Sequence, residues 1–418
     1  MVLEDLLRMP PLDGLIYLEQ NVNYLFQNGK RVSEVGSSFQ PEMGAEYEMP
    51  YVLLPQRHPR LEYFEIQPTP SLKEFVVEER SVKFFLHPDM LEEYKALGFS
   101  ELLDSAGEIL VSPTASTRTV ITRNLPFNFM VKVNLTKKIG FLSRKLTRTS
   151  VAQSNKIMAE MIQCENEMPT GFGFFLESIG VVFGESVGEI FRESLVRPPR
   201  GGQRYLIPFF SLISKDCKRP QDPLLLCQIV EAQGTDPFEV FLNGILKPLL
   251  ESWAYLAIER AILPIAHFQN LLLEIDQSGE PRRVVYRDLQ DAAIDRERRE
   301  KKGLHIDFAR HFVDDATHHL LKVDGELIRD VDKVRRIRYS IAYDFWLGLV
   351  LSCFGIVLGK YPSASKKKIE DTVKELFRKK ILPSAEDLFP LDQFWIHGLD
   401  PSNSGIRIVE NKGSPIYR

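Results

Sequence analysis

Residues Pro264–Ala292 read PIAHFQNLLLEIDQSGEPRRVVYRDLQDA. Two short apolar runs, LLLEID and RRVVYRD, flank QSGEP, where Gly279 and Pro281 are turn punctuation. The stretch therefore predicts strand, turn, strand. Such a hairpin returns Asp288 to the level of His267, Gln269 and Asn270, which stand just before the first strand. An imidazole, two amides and a carboxylate then meet at one end of a short sheet. Imidazole can hold a phosphate or act as acid or base, and Asn and Asp offer the hard oxygens that suit Mg²⁺.

A second cluster lies upstream, in SPTASTRTVITRNLPFNFMVKVNLTKKIGFLSRKL. Its alternating, β-branched segments predict strands. Ser116 and Arg118 stand just before one of them. Lys132 sits within another, a costly place for an ammonium unless it meets an anion or faces a cleft. Arg144 follows twelve residues on. A hydroxyl and three cations on adjacent strands make a triphosphate cradle, Arg supplying forked contacts and Lys a point charge. From spacing alone the same residues also read as an edge strand with solvated charges.

Composition bounds the remaining choices. The chain has 418 residues, enough for two or three lobes, with 44% hydrophobic and 26% charged residues, as in ordinary soluble proteins. A net charge of -4 gives no electrostatic reason to expect nucleic acid or an anionic membrane as partner. The basic run Lys366–Lys380 reads as a solvated helix face. Cys164, Cys217, Cys227 and Cys353 show no CxxC spacing, so reduced thiols are expected rather than disulfides or a zinc site. The N-terminus lacks the pattern of a secretion signal, which with the thiols points to the cytoplasm. The most apolar run, Phe345–Gly359, is shorter than the roughly 20 residues a bilayer needs and reads as a buried core helix.

Along the chain, residues 1–80 are rich in Pro and Gly with weak periodicity and form a reduced N-terminal segment. Residues 81–215 form a β-rich lobe carrying the cradle, and residues 216–418 a mainly helical lobe with the hairpin embedded in it. SVAQSNKIMAEMIQCENEM has a helical period with Ser150 as its N-cap. HIDFARHFVDDATHHLLKV, with His305, His311, His318 and His319, reads as a polar helix face rather than a metal site. Glu177, a lone acid in FGFFLESIG, reads either as half of an interior ion pair or as a site wall.

SPTASTRTV, VKVNLTKKIGFLSR, LKPLLESWAYLAIERAILPIAHFQN and RRVVYRD, in that order, resemble the motifs of the NRPS-independent siderophore synthetases of the aerobactin-synthetase (IucA/IucC) type. That pattern is S-x-R-T, a Lys with an Arg twelve residues on, H-x-Q-N, and R-D about twenty residues after the His. Here Lys132 to Arg144 spans twelve residues and His267 to Asp288 twenty-one. FFLHPDM is similar to the H-P-W-Q segment, with His87 and Pro88 kept. The resemblance implies an α+β, cupped-hand fold of thumb, ATP-binding fingers and helical palm. It implies an ATP- and Mg²⁺-dependent ligase that adenylates a carboxylic acid and joins it to an amine or hydroxyl, releasing AMP and pyrophosphate, in siderophore or related biosynthesis for iron acquisition. Ser116, Arg118, Lys132, Arg144 and His267 would contact phosphates, with Lys132, Arg144 and His267 acting in catalysis. Gln269 would line the nucleotide site, and Asn270 and Asp288 would hold the metal. Small-molecule substrates are the partners implied, without nucleic acid or membrane, and a homodimer is compatible with the family.

The sequence also departs from the pattern. The upstream G-H-P-x-H-P-x-x-K-x-R segment that helps bind the carboxylate is absent, and QRHPRLEYF around His58 is the nearest text. Ile265 replaces the usual Glu two residues before the His, Gly140 the usual Thr, and Gln290 an acid after R-D. A catalytically degenerate relative that binds a nucleotide or a partner is therefore the alternative reading, and a phosphotransferase releasing ADP a third. The acid needs another holder, for which Arg148, Lys138 and the loop VRPPRGGQRY with Arg197, Arg200 and Arg204 are candidates.

Overall fold

The structure, a computed structural model, describes residues 1–23, 33–67, 69–77, 80–139, 142–310, 321–400 and 405–418. The fold is α+β. A nine-stranded sheet contains β1 (Tyr47–Pro55), β2 (Leu61–Glu65), β3 (Val76–Val77), β4 (Ser81–Phe85), β5 (Gly107–Pro113), β6 (Thr119–Thr122), β7 (Phe129–Lys132), β11 (Ile179–Phe183) and β12 (Val187–Glu193). Its order is β2-β11-β12-β7-β6-β5-β1-β4-β3. The first 80 residues, irregular by composition, thus supply three of these strands; β1 lies between β5 and β4. A β-ribbon of β8 (Leu135–Ile139) and β9 (Leu142–Arg144) follows β7.

The second large sheet has five strands, in the order β13 (Val196–Arg197), β10 (Phe172–Phe175), β17 (Pro281–Tyr286), β16 (Leu271–Asp276) and β14 (Arg204–Pro208). β16 and β17 are the hairpin expected from the sequence, antiparallel with Leu271 opposite Tyr286. Its turn is built by Asp276, whose carboxylate accepts from the Ser278 amide (2.9 Å) and the Glu280 amide (3.1 Å). Gly279 takes the left-handed conformation there, φ 82°. The short pair β15 (Ile262–Leu263) and β18 (Ala293–Ile294) closes the segment on either side of the hairpin. Near the C-terminus, β19 (Lys322–Val323), β20 (Glu326–Leu327), β21 (Gln393–Asp400) and β22 (Gly405–Lys412) form a four-stranded sheet.

The two largest apolar cores among the described residues hold these layers. The larger buries the hairpin against the helices, with Trp253, Tyr343, Phe354 and Phe377 fully inside. The other fills one face of the nine-stranded sheet with Phe84, Phe99, Phe183 and Phe191. The apolar run expected as a core helix is Gly348–Leu358, which buries Val350, Leu351, Phe354 and Leu358. It joins the helix Val331–Ser340 through a π-helical segment, Ile341–Leu347. By length and composition this continuous run, Val331–Leu358, could cross a membrane, yet 56% of its most apolar stretch is buried in the protein. All four cysteines are free thiols.

Two local expectations change. The helix Arg148–Gln163 is capped by Thr147, whose hydroxyl accepts from the Ser150 amide at 3.3 Å, so Ser150 lies in the first turn and is not the cap. Leu304–Arg310 is not helical, because Gln153 takes the backbone bonds of Arg310: Oε1 accepts from its N–H (3.0 Å) and Nε2 donates to its carbonyl (3.1 Å). His311, His318 and His319 lie outside the described residues.

His87 of the H-P segment is fully buried in the core of the nine-stranded sheet, edge-on to Phe39 and Tyr47. Its Nδ1 accepts from the Asp89 amide at 3.2 Å, so Nε2 carries the ring proton, and that nitrogen has no hydrogen-bond partner among the described residues. Burial brings its pKa down to about 4 from 6.5. The unfolded chain therefore takes up this proton below about 6.5 and the folded chain only below about 4. This contribution to stability is complete above the upper value and is lost as pH falls through the window. The stability of the protein relative to a His87→Gln variant is expected to fall by on the order of 3 kcal/mol between pH 7 and pH 4. Urea denaturation of both proteins at the two pH values measures it, and parallel pH profiles would contradict it.

Candidate active site

Lys132 ends β7, opposite Thr119 of β6 on one side and Ile190 of β12 on the other. Residues directly opposite share a face, and so do residues two apart in a strand, so Lys132 and Arg192 of β12 project the same way. Both reach Asp288, the residue after the R-D arginine. Lys132 Nζ lies 3.1 Å from Asp288 Oδ1, and an Arg192 terminal nitrogen bonds the same oxygen. Arg192 also donates to Glu177 at 2.7 Å, and Glu177 accepts from the Ser154 hydroxyl on the helix Arg148–Gln163. Glu177 is therefore half of an interior ion pair and a wall of the site at once.

The electrostatics follow from this crowding. Burial pulls the Lys132 pKa down to about 8, with Arg118 adding to the effect and Asp288 opposing it. Burial would raise the Asp288 carboxyl, but Lys132, Arg192, Arg287 and Arg118 outweigh it and hold the group well below the usual carboxylate range. Asp288 sits at φ 63°, a left-handed conformation uncommon for a residue with a side chain and typical of functional positions.

Arg118 is buried beside this group, in the loop that joins β5 to β6. Ser116 closes that loop, its hydroxyl accepting from the Thr119 amide at 3.0 Å, while Thr117 turns the chain at φ 65°. Glu19, on the helix Pro11–Asn21, then ties the two clusters together. One of its oxygens accepts from the Ala115 amide (2.9 Å) and the other from Arg287 (2.5 Å).

On the hairpin side, Arg287 donates its Nε to the Gln269 carbonyl (2.6 Å), and its amide bonds the Asn270 carbonyl (3.0 Å). Asp288 therefore returns beside Gln269 and Asn270, as the turn chemistry requires. His267 Nδ1 accepts from the Gln269 amide at 3.1 Å, which leaves Nε2 as the protonated, donating nitrogen. Its ring lies 5.2 Å from that of Trp346. Ile265, where a Glu was expected, contributes only its carbonyl, which accepts from the His267 amide and from Asn270 Nδ2, both at 3.1 Å.

The structure thus brings together Arg118, Lys132 and Asp288, and beside them Ser116, Gln269, Asn270 and His267. Arg144 has its backbone placed opposite Leu135, while its side chain lies outside the described residues. Glu177 reads from the sequence as half of an ion pair or a site wall, whereas Arg192 and Glu19 join the site without having been singled out. Their signal was faint: a charged residue inside an apolar, alternating strand, as in EIFRE, which marks a buried ion pair.

For a divalent cation, Asp288 could supply a carboxylate oxygen and Asn270 an amide oxygen. Among the described residues no three His, Cys, Asp or Glu side chains gather as a metal cage. This donor set fits Mg²⁺ only together with phosphate oxygens, the usual arrangement for that ion.

The cationic loop expected to hold a carboxylate is otherwise engaged. Arg197 pairs with Glu165 at 2.5 Å, Arg200 donates to the carbonyls of Thr170 and Arg282, and Arg204 lies 3.8 Å from Asp276. These partners include the turn end of the hairpin, about 17 Å along β16 from the His267 end. Arg148 is likewise paired, with Glu62 at 2.6 Å.

No protein-family model matches the chain, and no curated protein matches it in sequence. Solved structures do. The petrobactin biosynthesis protein AsbB from Bacillus anthracis str. Sterne superposes with a TM-score of 0.67 at 15% identity, over 96% of this chain and 75% of that one. Two structures from a hypervirulent pathotype of Klebsiella pneumoniae are also similar. ATP-bound aerobactin synthetase IucA matches with a TM-score of 0.64 at 15% identity, over 92% of this chain and 73% of its own. Aerobactin synthetase IucC matches at 0.65 and 15% identity, over 94% and 74%. At such identity the shared property is architecture, and the chain has the α+β fold of these siderophore-pathway proteins.

Proposed function

We propose that the protein is an ATP-dependent ligase of siderophore or related metabolite biosynthesis, which activates a carboxylic acid as its adenylate and transfers it to an amine or hydroxyl. The observation that carries this reading is the 3.1 Å contact of Lys132 with Asp288, which joins the cation-bearing strands to the hairpin. Cations buried with little freedom to move suit a polyphosphate whose charge grows at the α-phosphate and the departing pyrophosphate. The likeness to an ATP-bound synthetase supports the same choice of nucleotide.

On this reading Ser116, Arg118, Lys132, Arg144 and His267 face the phosphates, and Gln269 lines the nucleotide. Asn270 and Asp288 would hold Mg²⁺, which would neutralise phosphate charge. A carboxylate oxygen of the acid attacks the α-phosphorus, pyrophosphate leaves, and the nucleophile then displaces AMP. Alignment of the reactants in one cleft supplies much of the acceleration.

Arg118→Ala is expected to weaken ATP binding by about 1–3 kcal/mol through loss of charge-assisted contacts. Calorimetric titration measures it, and unchanged affinity in a folded variant removes Arg118 from the cradle. Pyrophosphate and AMP release, followed across carboxylic acids with and without amines, tests the reaction. Release of ADP instead would make the protein a phosphotransferase. ATP binding with no turnover on any acid would favour the catalytically silent alternative.

A further inference from the structure

The lysine that would meet phosphate and the carboxylate that would meet metal are bound to each other, Lys132 Nζ to Asp288 Oδ1 at 3.1 Å. Arg192 bonds the same oxygen, so Asp288 carries two cations on one atom. All three side chains are shielded: Lys132 and Arg192 are 3% exposed and Asp288 14%. Buried charges are little screened by salt, so these contacts compete strongly with an incoming ion. A divalent cation on this carboxylate would stand beside an ammonium and a guanidinium, and like charges at that range repel.

The two cations are not held alike. Arg192 lies within β12, opposite Met130 of β7, and its guanidinium bridges Asp288 and Glu177, the second contact at 2.7 Å. Glu177 is itself fixed by the Ser154 hydroxyl. Arg192 is thus braced from two sides. Lys132 is the last residue of β7, and the contact with Asp288 is its one ion pair among the described residues. Its ammonium is a point charge on a flexible four-carbon stem, which can change partner with little movement of the strand. Of the two, the lysine is the one that can leave.

We propose that Lys132 is a placeholder on Asp288 and that nucleotide entry exchanges partners: the phosphates take the ammonium, and the carboxylate so released takes the divalent cation. The inference rests on the ligase reading of the site and adds to it the order in which the ligands enter. Metal alone is resisted by the Lys132 charge, and nucleotide alone by the Asp288 charge. Each ligand removes the obstacle to the other, so metal and nucleotide favour one another through the protein, and the coupling is reciprocal. No covalent bond changes and no proton moves in this step. A site built this way takes up metal together with its nucleotide and does not collect it beforehand.

Two binding measurements on the full chain test the exchange. The first is Mn²⁺ binding without nucleotide, read by electron paramagnetic resonance of the free ion, since Mn²⁺ takes the same oxygen ligands as Mg²⁺. Lys132→Met should bind Mn²⁺ about tenfold or more tightly than the parent, because a like charge beside the carboxylate is gone. Lys132→Arg, which keeps the charge, should gain about twofold at most. The second is ATP binding by calorimetry in EDTA. Asp288→Asn should bind metal-free ATP about fivefold or more tightly than the parent, and the gain should vanish in the Lys132→Met background, because both changes act through one contact. If Asp288→Asn does not fold, the Mn²⁺ comparison decides alone. Equal Mn²⁺ affinity in the parent and Lys132→Met, the same gain in Lys132→Arg, no ATP gain in a folded Asp288→Asn, or a gain that persists without Lys132 would each overturn the exchange. Both gains without pyrophosphate release on any acid would leave the exchange standing and remove the ligase reading. Pyrophosphate release with neither gain would do the reverse.

Discussion

Arg192→Met is expected to lower the free energy of unfolding by about 3–5 kcal/mol, the usual penalty for leaving one side of a buried ion pair uncompensated. Arg192 is buried between two carboxylates, and among the described residues its removal leaves Glu177 with the Ser154 hydroxyl and Asp288 with Lys132. Methionine keeps the volume of the strand position, so little of the loss comes from a cavity. The decisive comparison is a double-mutant cycle in urea with Glu177→Gln. Because the two residues share one contact, the double variant should be more stable than the sum of the single losses predicts, by about 0.5–3 kcal/mol. Strict additivity, or a single-variant loss below about 1 kcal/mol, would mean that the pair does not hold the site together.

Lys132→Met is expected to reduce nucleotide-dependent turnover by about 10²–10³-fold, the effect seen when one fixed charge is taken from a developing anion. Its cost in stability should be smaller than that of Arg192→Met, because Asp288 keeps Arg192 and the ammonium itself bears a desolvation penalty. Lys132→Arg should not restore the rate, since a fork replaces a compact point charge. A pH signature accompanies this. With its pKa drawn down to about 8, the ligand-free Lys132 loses its charge as pH rises through that value. ATP affinity should therefore fall between pH 7 and pH 9 in the parent protein and stay nearly level in Lys132→Met. Equal slopes in the two proteins would assign the titration elsewhere.

The hairpin was legible because its turn is written in local chemistry: Asp276, Gly279 and two apolar runs leave few alternatives. Bringing Asp288 back to Gln269 and Asn270 followed from that turn alone. The joining of Lys132 to Asp288 was not derivable from either segment, and only the ordered motifs implied it. Glu177 stood out as a lone acid, but its partner Arg192 was hard to find because a buried ion pair uses the same residue types as a solvated one, and the difference lies in which strand stands beside which. Strand β1 was missed because Pro50 and Pro55 interrupt the alternation in YEMPYVLLP, although neighbours on both sides complete its ladder. The segment before Arg310 has a helical pattern but follows the side chain of Gln153, a contact 157 residues away in sequence.

Glu19 also has a bearing on how the protein folds. The two groups that meet on its carboxylate are separated from it by 96 and 268 residues. No contiguous fragment can assemble that junction early, because the closure entropy of both long loops must be overcome before either bond forms. The clustered cations and Asp288 should consequently come into register late on the folding route, when the two large sheets dock. Hydrogen exchange at the Ala115 amide, which donates to Glu19, should then report the opening of that docking rather than the local fraying of a loop.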